Sequence, residues 1–452
     1  MSFCVSINDL SKKDIINITS QLKFKSKKDE YKEQEIYKVY SIDKINKTIQ
    51  IPIGLWKDIY TSFPNDIECE YKEISSFSHP VKPLTISTDP SKRNRDQDNV
   101  ISQSLSILKK DNSILMNMYC GFGKTFTSIY LAIELKLKVL VLCHSDTLKR
   151  QWVEAFKQFS NLKVCIITGD ISIKKLEKYD AYIIGVQKCS TTDESIFKEL
   201  QIGTIIIDEC HLITINAFTK GLLKLTPRYL IGLSATPDRK DGLHSLFKPY
   251  FNKNIITRFE KKKFEVIKYT TPYKPIIEYK MLFGRLRVDA HMKRNSIESN
   301  ENRWNFIKEI VLSNIKNNNI IILCERVIQI EGLYNILYKE SGDNVDTFYG
   351  TKKNYNKDAK VLIAGIKKAG VGFDNPKLTM MILASYTDDV RQLEGRIRTT
   401  DNTIYHLVDN HPSFEGKWNK CEKWYKKRGA TIVYKGFKIN KGDNQELPRF
   451  SY

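Results

Sequence analysis

The strongest constraint on the fold is a recurrence of short apolar runs separated by helical stretches. Between residues 97 and 250 the runs are ILMNM (114–118), KVLVLC (138–143), KVCIIT (163–168), AYIIGV (181–186), GTIIIDE (203–209) and YLIGLSAT (229–236). They are nearly continuous in apolar residues instead of alternating. With amphipathic helices between them, that pattern predicts a parallel sheet buried on both faces. A second set at 319–324, 345–349, 360–365, 378–383 and 403–408 predicts another parallel α/β unit starting near Asn302. Trp304, Ile307, Ile310, Val311 and Ile315 suit one face of its first helix. Ligands of such sheets gather outside the carboxyl ends of the strands, and the polar residues that end these runs fall there.

The run at 114–118 leads into Met118-Tyr119-Cys120-Gly121-Phe122-Gly123-Lys124-Thr125, followed by a helical pattern at 126–135. Strand, glycine loop, Lys-Thr and helix make the layout of a phosphate-binding loop. Small residues let backbone N–H groups close around phosphate oxygens, and the helix N-terminus adds partial positive charge. Lys124 supplies a point charge for the β- and γ-phosphates, and the Thr125 hydroxyl can ligate Mg²⁺. The pattern G-x-x-x-x-G-K-[ST] wants glycine where this chain has Met118. The cofactors expected are therefore ATP and Mg²⁺.

Ile205-Ile206-Ile207-Asp208-Glu209-Cys210-His211 delivers two adjacent carboxylates to the same sheet edge. Asp208 can hold Mg²⁺, usually through water, and Glu209 can polarise the water that attacks the γ-phosphate. Ser234-Ala235-Thr236-Pro237 ends the next run, where small hydroxyls can bridge the carboxylates and a neighbouring lobe.

With these motifs the chain resembles the superfamily 2 helicases and translocases. MYCGFGKT looks like motif I, DECH like motif II and SATP like motif III. GLSATPDRKDGL (232–243) is similar to the XPB-like branch and its large-DNA-virus relatives, the poxvirus transcript-release helicases and the African swine fever virus homologue among them. The resemblance covers residues 90–435 or so. It implies two tandem RecA-like lobes, parallel sheets with helices on both faces; ahead of them, residues 1–80 read as a small α/β or β-rich accessory domain. It also implies further site residues. Gln97 matches the glutamine that reads adenine, and His211 joins the nucleotide set. His144, Ser145, Gln151 with Trp152, Gly169 and Gln187 match motifs that contact the nucleic-acid backbone, and Lys367 joins them. Gly372 and Asp374, in AGVGFD, look like motif V, with Asp374 reaching the ribose. Gln392 to Arg398, QLEGRIR, looks like motif VI, whose arginine finger brings cationic charge to the γ-phosphate. The family spaces its arginines three apart. Arg396 and Arg398 are two apart, and on a regular helix both cannot face one phosphate. Arg396 is the expected finger and Arg398 the alternative.

The expected divisions are an accessory domain at 1–80, lobe 1 at 81–250, a connector at 251–300, lobe 2 at 301–435 and a basic aromatic tail at 436–452. Residues 36–55 alternate in places, which predicts two short strands joined by a turn near 44–47. In the connector, Arg285, Arg287, Lys293 and Arg294 interleave with Tyr279, Phe283 and His291, either as a solvated face or as a nucleic-acid surface. The lysines and aromatics from 418 onward suit base stacking or a last strand on lobe 2.

A net charge of +21 over 452 residues fits a polyanionic partner as well as a lysine-rich solvated surface. The nine cysteines form no C-x-x-C pair, so reduced thiols are expected and neither a zinc site nor a disulfide framework. No apolar run approaches the ~20 residues of a membrane helix, and the first residues lack a signal segment. An intracellular protein is expected, a monomer with no membrane partner. The nucleus, host cytoplasm and virion are not distinguished. With the motifs, the resemblance implies an ATP-dependent DNA helicase or duplex translocase acting in viral-type transcript release or in DNA repair and recombination, with RNA polymerase or other transcription factors as partners. The alternatives are an RNA helicase, or a nucleic-acid-binding scaffold with a degenerate motor.

Overall fold

A computed structural model describes residues 2–25, 36–59, 96–169, 172–212, 221–235, 243–282, 285–352, 354–370, 373, 375–397 and 402–436. The chain divides into two compact units, Met1–Phe259 and Glu260–Tyr452.

The first unit opens with an antiparallel sheet of β1 (Ser2–Ser6), β4 (Ser41–Asp43) and β5 (Thr48–Pro52), in the order β1-β5-β4. The short ribbon β2 (Lys23–Lys25) and β3 (Ile36–Lys38) lies between β1 and β4 in sequence. The expected turn at 44–47 joins β4 to β5. This N-terminal segment has no core of its own. Phe3, Val5, Ile49, Ile51 and Trp56 share one apolar cluster with Leu140, Ile205, Leu230 and Tyr250. Trp56 Nε1 donates to the Asp111 carbonyl at 3.1 Å, and a Cβ on Gly54 would collide with the Tyr250 backbone at 2.5 Å.

The main sheet of this unit comprises β6 (Ser113–Met118), β7 (Val139–Cys143), β8 (Val164–Ile166), β9 (Ala181–Gly185), β10 (Thr204–Ile207), β11 (Tyr229–Ser234) and β12 (Ile255–Arg258). Its order is β12-β6-β11-β10-β7-β9-β8, and every pairing is parallel. Burial of every residue in β7 and β10 fits a sheet covered on both faces.

The second unit holds β13 (Phe264–Thr270), the antiparallel ribbon β14 (Tyr279–Leu282) and β15 (Arg285–Val288), and β16 (Ile320–Cys324). After these come β17 (Val345–Phe348), β18 (Val361–Gly365), β19 (Met380–Leu383), β20 (Thr403–Val408) and β21 (Ala430–Gly436). Its seven-stranded sheet runs β17-β18-β16-β19-β20-β13-β21, again all parallel. Two parallel sheets with helices make tandem RecA-like lobes.

The stretch expected as a connector, 251–300, is corrected by these pairings. It supplies β12 to the first sheet and β13 to the interior of the second, between β20 and β21. Lys268 hides β13 from a reading of apolar runs. Its amine lies over the Trp418 ring at 5.6 Å and pairs with Glu415, so a lysine occupies a buried strand position. β21, the edge strand beside β13, ends at Gly436, and residues 437–452 of the basic tail lie outside the described residues.

Candidate functional site

The glycine loop follows from the end of β6. Gly121 and Gly123 have φ of +91° and +94°, which side chains with a Cβ avoid. Met118 does not: it ends the strand outside the left-handed region, with its side chain buried in the core. The departure from the glycine pattern there therefore carries no backbone cost. Helix Lys124–Glu134 begins at once, aiming its first N–H groups into the loop. Lys124 Nζ lies against the loop, donating to the Met118 carbonyl at 3.0 Å and to that of Tyr119 at 3.3 Å. Tyr119 packs edge-on against buried Phe122, with ring centroids 5.5 Å apart.

Gln97 begins helix Gln97–Asp111 and is buried. Its Nε2 donates to the Phe122 carbonyl at 2.7 Å, so the structure seats this side chain on the glycine loop. A Cβ on Gly123 would lie 2.2 Å from that same nitrogen. Arg258, at the end of β12, fixes the start of the helix by pairing with Asp96.

Strand β10 stands two places from β6, with β11 between them. Its end carries Asp208, 9% exposed, and Glu209. Trp152 Nε1 donates to Asp208 Oδ2 at 2.9 Å. Burial and the Glu209 charge push the Asp208 carboxyl up to about 6, against the Trp152 hydrogen bond and the charge of Lys124. Glu209 sits at φ +47°, a strained position for a non-glycine residue. Its Oε2 is buried without a hydrogen-bond partner among the described residues and lies 3.4 Å from His211 Nδ1. His211 Nδ1 in turn is 2.9 Å from Ser234 Oγ at the end of β11. The ends of β10 and β11 are thus coupled through one imidazole.

Thr125 in the first helical turn and the buried Asp208 carboxylate are hard oxygens at the same edge of this sheet. That set suits a magnesium nucleotide.

From sequence, Gln151 with Trp152 matches a motif that contacts the nucleic-acid backbone. In helix Asp146–Phe159, however, Leu148, Trp152 and Phe156 form the buried face, four residues apart, while Gln151 is exposed. That i, i+4 spacing was the signal available.

The other expected backbone contacts stand at the carboxyl ends of neighbouring strands. His144 is exposed after β7, and Ser145 caps the next helix by accepting from the Leu148 N–H at 3.3 Å. Gly169, at φ +60°, is exposed beyond β8, and Gln187 is exposed on the helix after β9. Lys149, not singled out from sequence, reaches across to β9: its Nζ would lie 3.3 Å from a Cβ on Gly185.

In the second unit, Lys367 is exposed on helix Ile366–Gly370. It lines a cavity of about 550 Å³ at the carboxyl ends of β16, β17 and β18, with Arg326, Tyr349, Gly350 and Lys368. Arg396 donates from Nη1 to the Phe373 carbonyl at 2.8 Å and from Nη2 to the Gly370 carbonyl. It therefore braces the glycine segment that resembles motif V. Helix Arg391–Glu394 ends before Arg396, so Arg396 does not stand on a regular helix. Arg398, Gly372, Asp374, Thr236 and Pro237 lie outside the described residues.

Residues 91–239 match the family described as "Type III restriction enzyme, res subunit". "Putative helicase 161L" of Invertebrate iridescent virus 6 is 30% identical over 425 residues, 87% of this chain and 91% of that protein. The chain belongs to the superfamily 2 helicases, among those of large DNA viruses. Other relatives of this helicase are "Putative ATP-dependent RNA helicase L396" of Acanthamoeba polyphaga mimivirus, 27% identical over 80% of this chain and 69% of that one, and "Transcript termination protein A18" of Yaba-like disease virus, 24% identical over 67% and 69%. S. cerevisiae Dbp5, solved bound to RNA and ADP BeF3, shares the fold at a TM-score of 0.53 and 14% identity, over 74% of this chain and 89% of that one. Membership in the family implies a nucleic-acid-dependent ATPase, with Mg²⁺ the typical metal. Among the described residues no helix of this helicase is long and apolar enough to cross a membrane.

Proposed function

We propose that this helicase is an ATP-driven motor on DNA, unwinding or translocating on the duplex in viral-type transcript release or in DNA repair and recombination. One observation carries the reading: the Lys124 loop and the Asp208–Glu209 pair converge on one edge of one sheet. On ATP binding, Lys124 exchanges the neutral carbonyls of Met118 and Tyr119 for phosphate oxygens, with loop N–H groups closing around them. Glu209, whose Oε2 has no hydrogen-bond partner among the described residues, accepts from the attacking water and takes its proton. Magnesium, held by Thr125 and Asp208, would neutralise phosphate charge. Arg396 or Arg398 supplies the cation that steadies the transition state, and Gly372 and Asp374 take the ribose side.

Support for a transcription role comes from the A18 relatives, whose name gives transcript termination. RNA polymerase or other transcription factors are the partners this implies, with the chain itself a monomer in the intracellular space. The mimivirus relative is named an RNA helicase, so RNA is the alternative track.

The test is ATP hydrolysis by the full chain, alone and with single-stranded DNA, duplex DNA or single-stranded RNA. DNA stimulation supports the motor; stimulation by RNA alone moves the substrate to RNA. Lys124→Ala should abolish turnover, and Glu209→Gln should keep ATP binding while stalling hydrolysis. Normal turnover in either variant, or none in the wild type with any nucleic acid, overturns the assignment.

A further inference from the structure

Apart from the nucleotide residues and the Lys367 cavity, the second unit gathers cations around a pair of rings. Tyr386, just beyond β19, and Phe414 have centroids 4.2 Å apart at 33°. Lys417 Nζ lies over the Tyr386 ring at 4.3 Å and the Arg294 guanidinium at 5.3 Å. Lys293 Nζ lies over Phe414 at 5.2 Å and donates to Ser413 Oγ at 2.5 Å. Apart from Tyr386, these residues come from helices Ala290–Glu298 and Pro412–Arg428.

Carboxylates near the rings, Glu325 and Glu298, act on Arg294 and leave the two lysines without an ion pair among the described residues. Arg294 is neutralised by Glu325 at 2.7 Å. Neither Lys293 nor Lys417 forms an ion pair among the described residues, although the charges of Asp388 and Glu325 are felt at Lys417. Burial and the neighbouring Arg294 depress the Lys417 ammonium. Burial and Lys417 in turn depress Lys293. Lysine stems are flexible and strongly favour water. Two of them half-buried beside each other and an arginine make a seat that an anion would relieve. The excess continues along the helix. Lys420 and Lys423 are exposed and form no ion pair among the described residues, and Lys417 to Lys423 spans about 9 Å of helix axis. That length exceeds one phosphate and suits a polyanion.

The opposite end of the seat leads toward the Lys367 cavity. Glu325, which pairs with Arg294, also lines that cavity beside Arg326. A strand leaving the cavity would therefore meet Arg294 and Lys293 next, then Lys417 and Lys420.

We propose that Lys293, Arg294 and Lys417, seated on the Tyr386–Phe414 pair and extended by Lys420 and Lys423, bind the phosphodiester backbone of the nucleic acid as it continues past the second lobe. The inference rests on the proposed function for its ligand. The ligand chemistry is phosphate; the source assigned is the backbone, and free phosphate is the rival source.

The experiment is binding of a fluorescent DNA duplex and a single strand by the full chain across a salt series. The variants are Lys293→Gln/Lys417→Gln and, at exposed positions, Lys420→Gln/Lys423→Gln. The first pair should weaken binding about tenfold or more at low salt. It should also flatten the dependence of log K on log salt by about 1.4 to 1.8, two phosphate contacts' worth. The second should flatten it by a smaller amount, and unstimulated ATPase should be unchanged in both. Unchanged affinity and slope in both variants, with the wild type binding well, overturns the seat and leaves the motor standing. A wild type that binds no nucleic acid overturns the motor itself. Inorganic phosphate is added in a parallel arm. Thermal stabilisation by it that depends on Lys293 and Lys417, with nucleic-acid binding unaffected, assigns a free phosphate and overturns the backbone.

Discussion

Replacing Trp152 with phenylalanine isolates one hydrogen bond. The indole N–H reaches Asp208 Oδ2 at 2.9 Å, and both side chains are buried. Phenylalanine keeps most of the ring volume against Phe156 and removes the donor. A hydrogen bond to a charged acceptor is worth about 1.5–3 kcal/mol, and no water replaces it readily at a carboxylate this buried. The lost bond raises the cost of keeping Asp208 ionised, which burial and Glu209 already oppose. Since Asp208 is the candidate metal ligand, the loss should appear in metal affinity. Removing the outer partner of a ligand typically costs about 10- to 100-fold. The assay is nucleic-acid-stimulated ATP hydrolysis titrated with Mg²⁺ at fixed total ATP, beside thermal unfolding. We expect the half-saturating Mg²⁺ concentration to rise by about tenfold or more, with turnover largely restored at saturating metal. An unchanged Mg²⁺ requirement, accompanied only by a lower melting temperature, would show that Trp152 fills space and positions nothing.

Three further outcomes are expected. Gly123→Ala places a Cβ 2.2 Å from Gln97 Nε2 at φ +94°, so nucleotide binding measured by fluorescent ADP should be lost while the second unit melts as before. Asp409→Asn removes the partner of buried Arg303, held at 2.8 and 3.0 Å, and should cost about 3–5 kcal/mol in denaturant unfolding. His406 is buried beside Trp418 and Tyr425, and burial, with Lys268 adding, lowers it from 6.5 to about 3. The unfolded chain therefore takes up a proton below about 6.5 that the folded chain refuses. Its contribution is present above 6.5 and lost as pH falls toward 3, about 2 kcal/mol by pH 5. His406→Gln should flatten the fall in stability between pH 7 and pH 5, and an identical slope would exclude His406 as its source.

Elements with the plainest apolar runs could be read from sequence almost to the residue. Strand β20 spans the expected 403–408, and β7 the expected run less its first lysine. What sequence concealed was polar residues in buried places. Lysine at 268 made β13 look like part of a connector, because nothing in sequence shows the ring of Trp418 and the carboxylate of Glu415 that shelter its amine. In the candidate site, the placement of Lys124, Asp208 and Glu209 just beyond strands was legible, because the glycine loop and the carboxylate pair each follow an apolar run. The Trp152 contact was not, since its partner lies 56 residues away and its neighbour Gln151 is exposed.

The arginine pair near the end of the second unit shows how a spacing argument depends on local structure. Two arginines two apart diverge on a helix, but helix Arg391–Glu394 stops one residue before Gly395. Glu394 anchors that stop: it is buried, with Arg428 Nε at 3.0 Å and Lys262 Nζ at 2.9 Å. With the chain held there, Arg396 turns onto the carbonyls of Gly370 and Phe373. A guanidinium on two carbonyls ties this turn to the glycine segment it braces, so movement of either is felt by the other. Breaking the Glu394 anchor should therefore disturb both at once, even though Glu394 itself faces the helix Pro412–Arg428 and touches neither carbonyl.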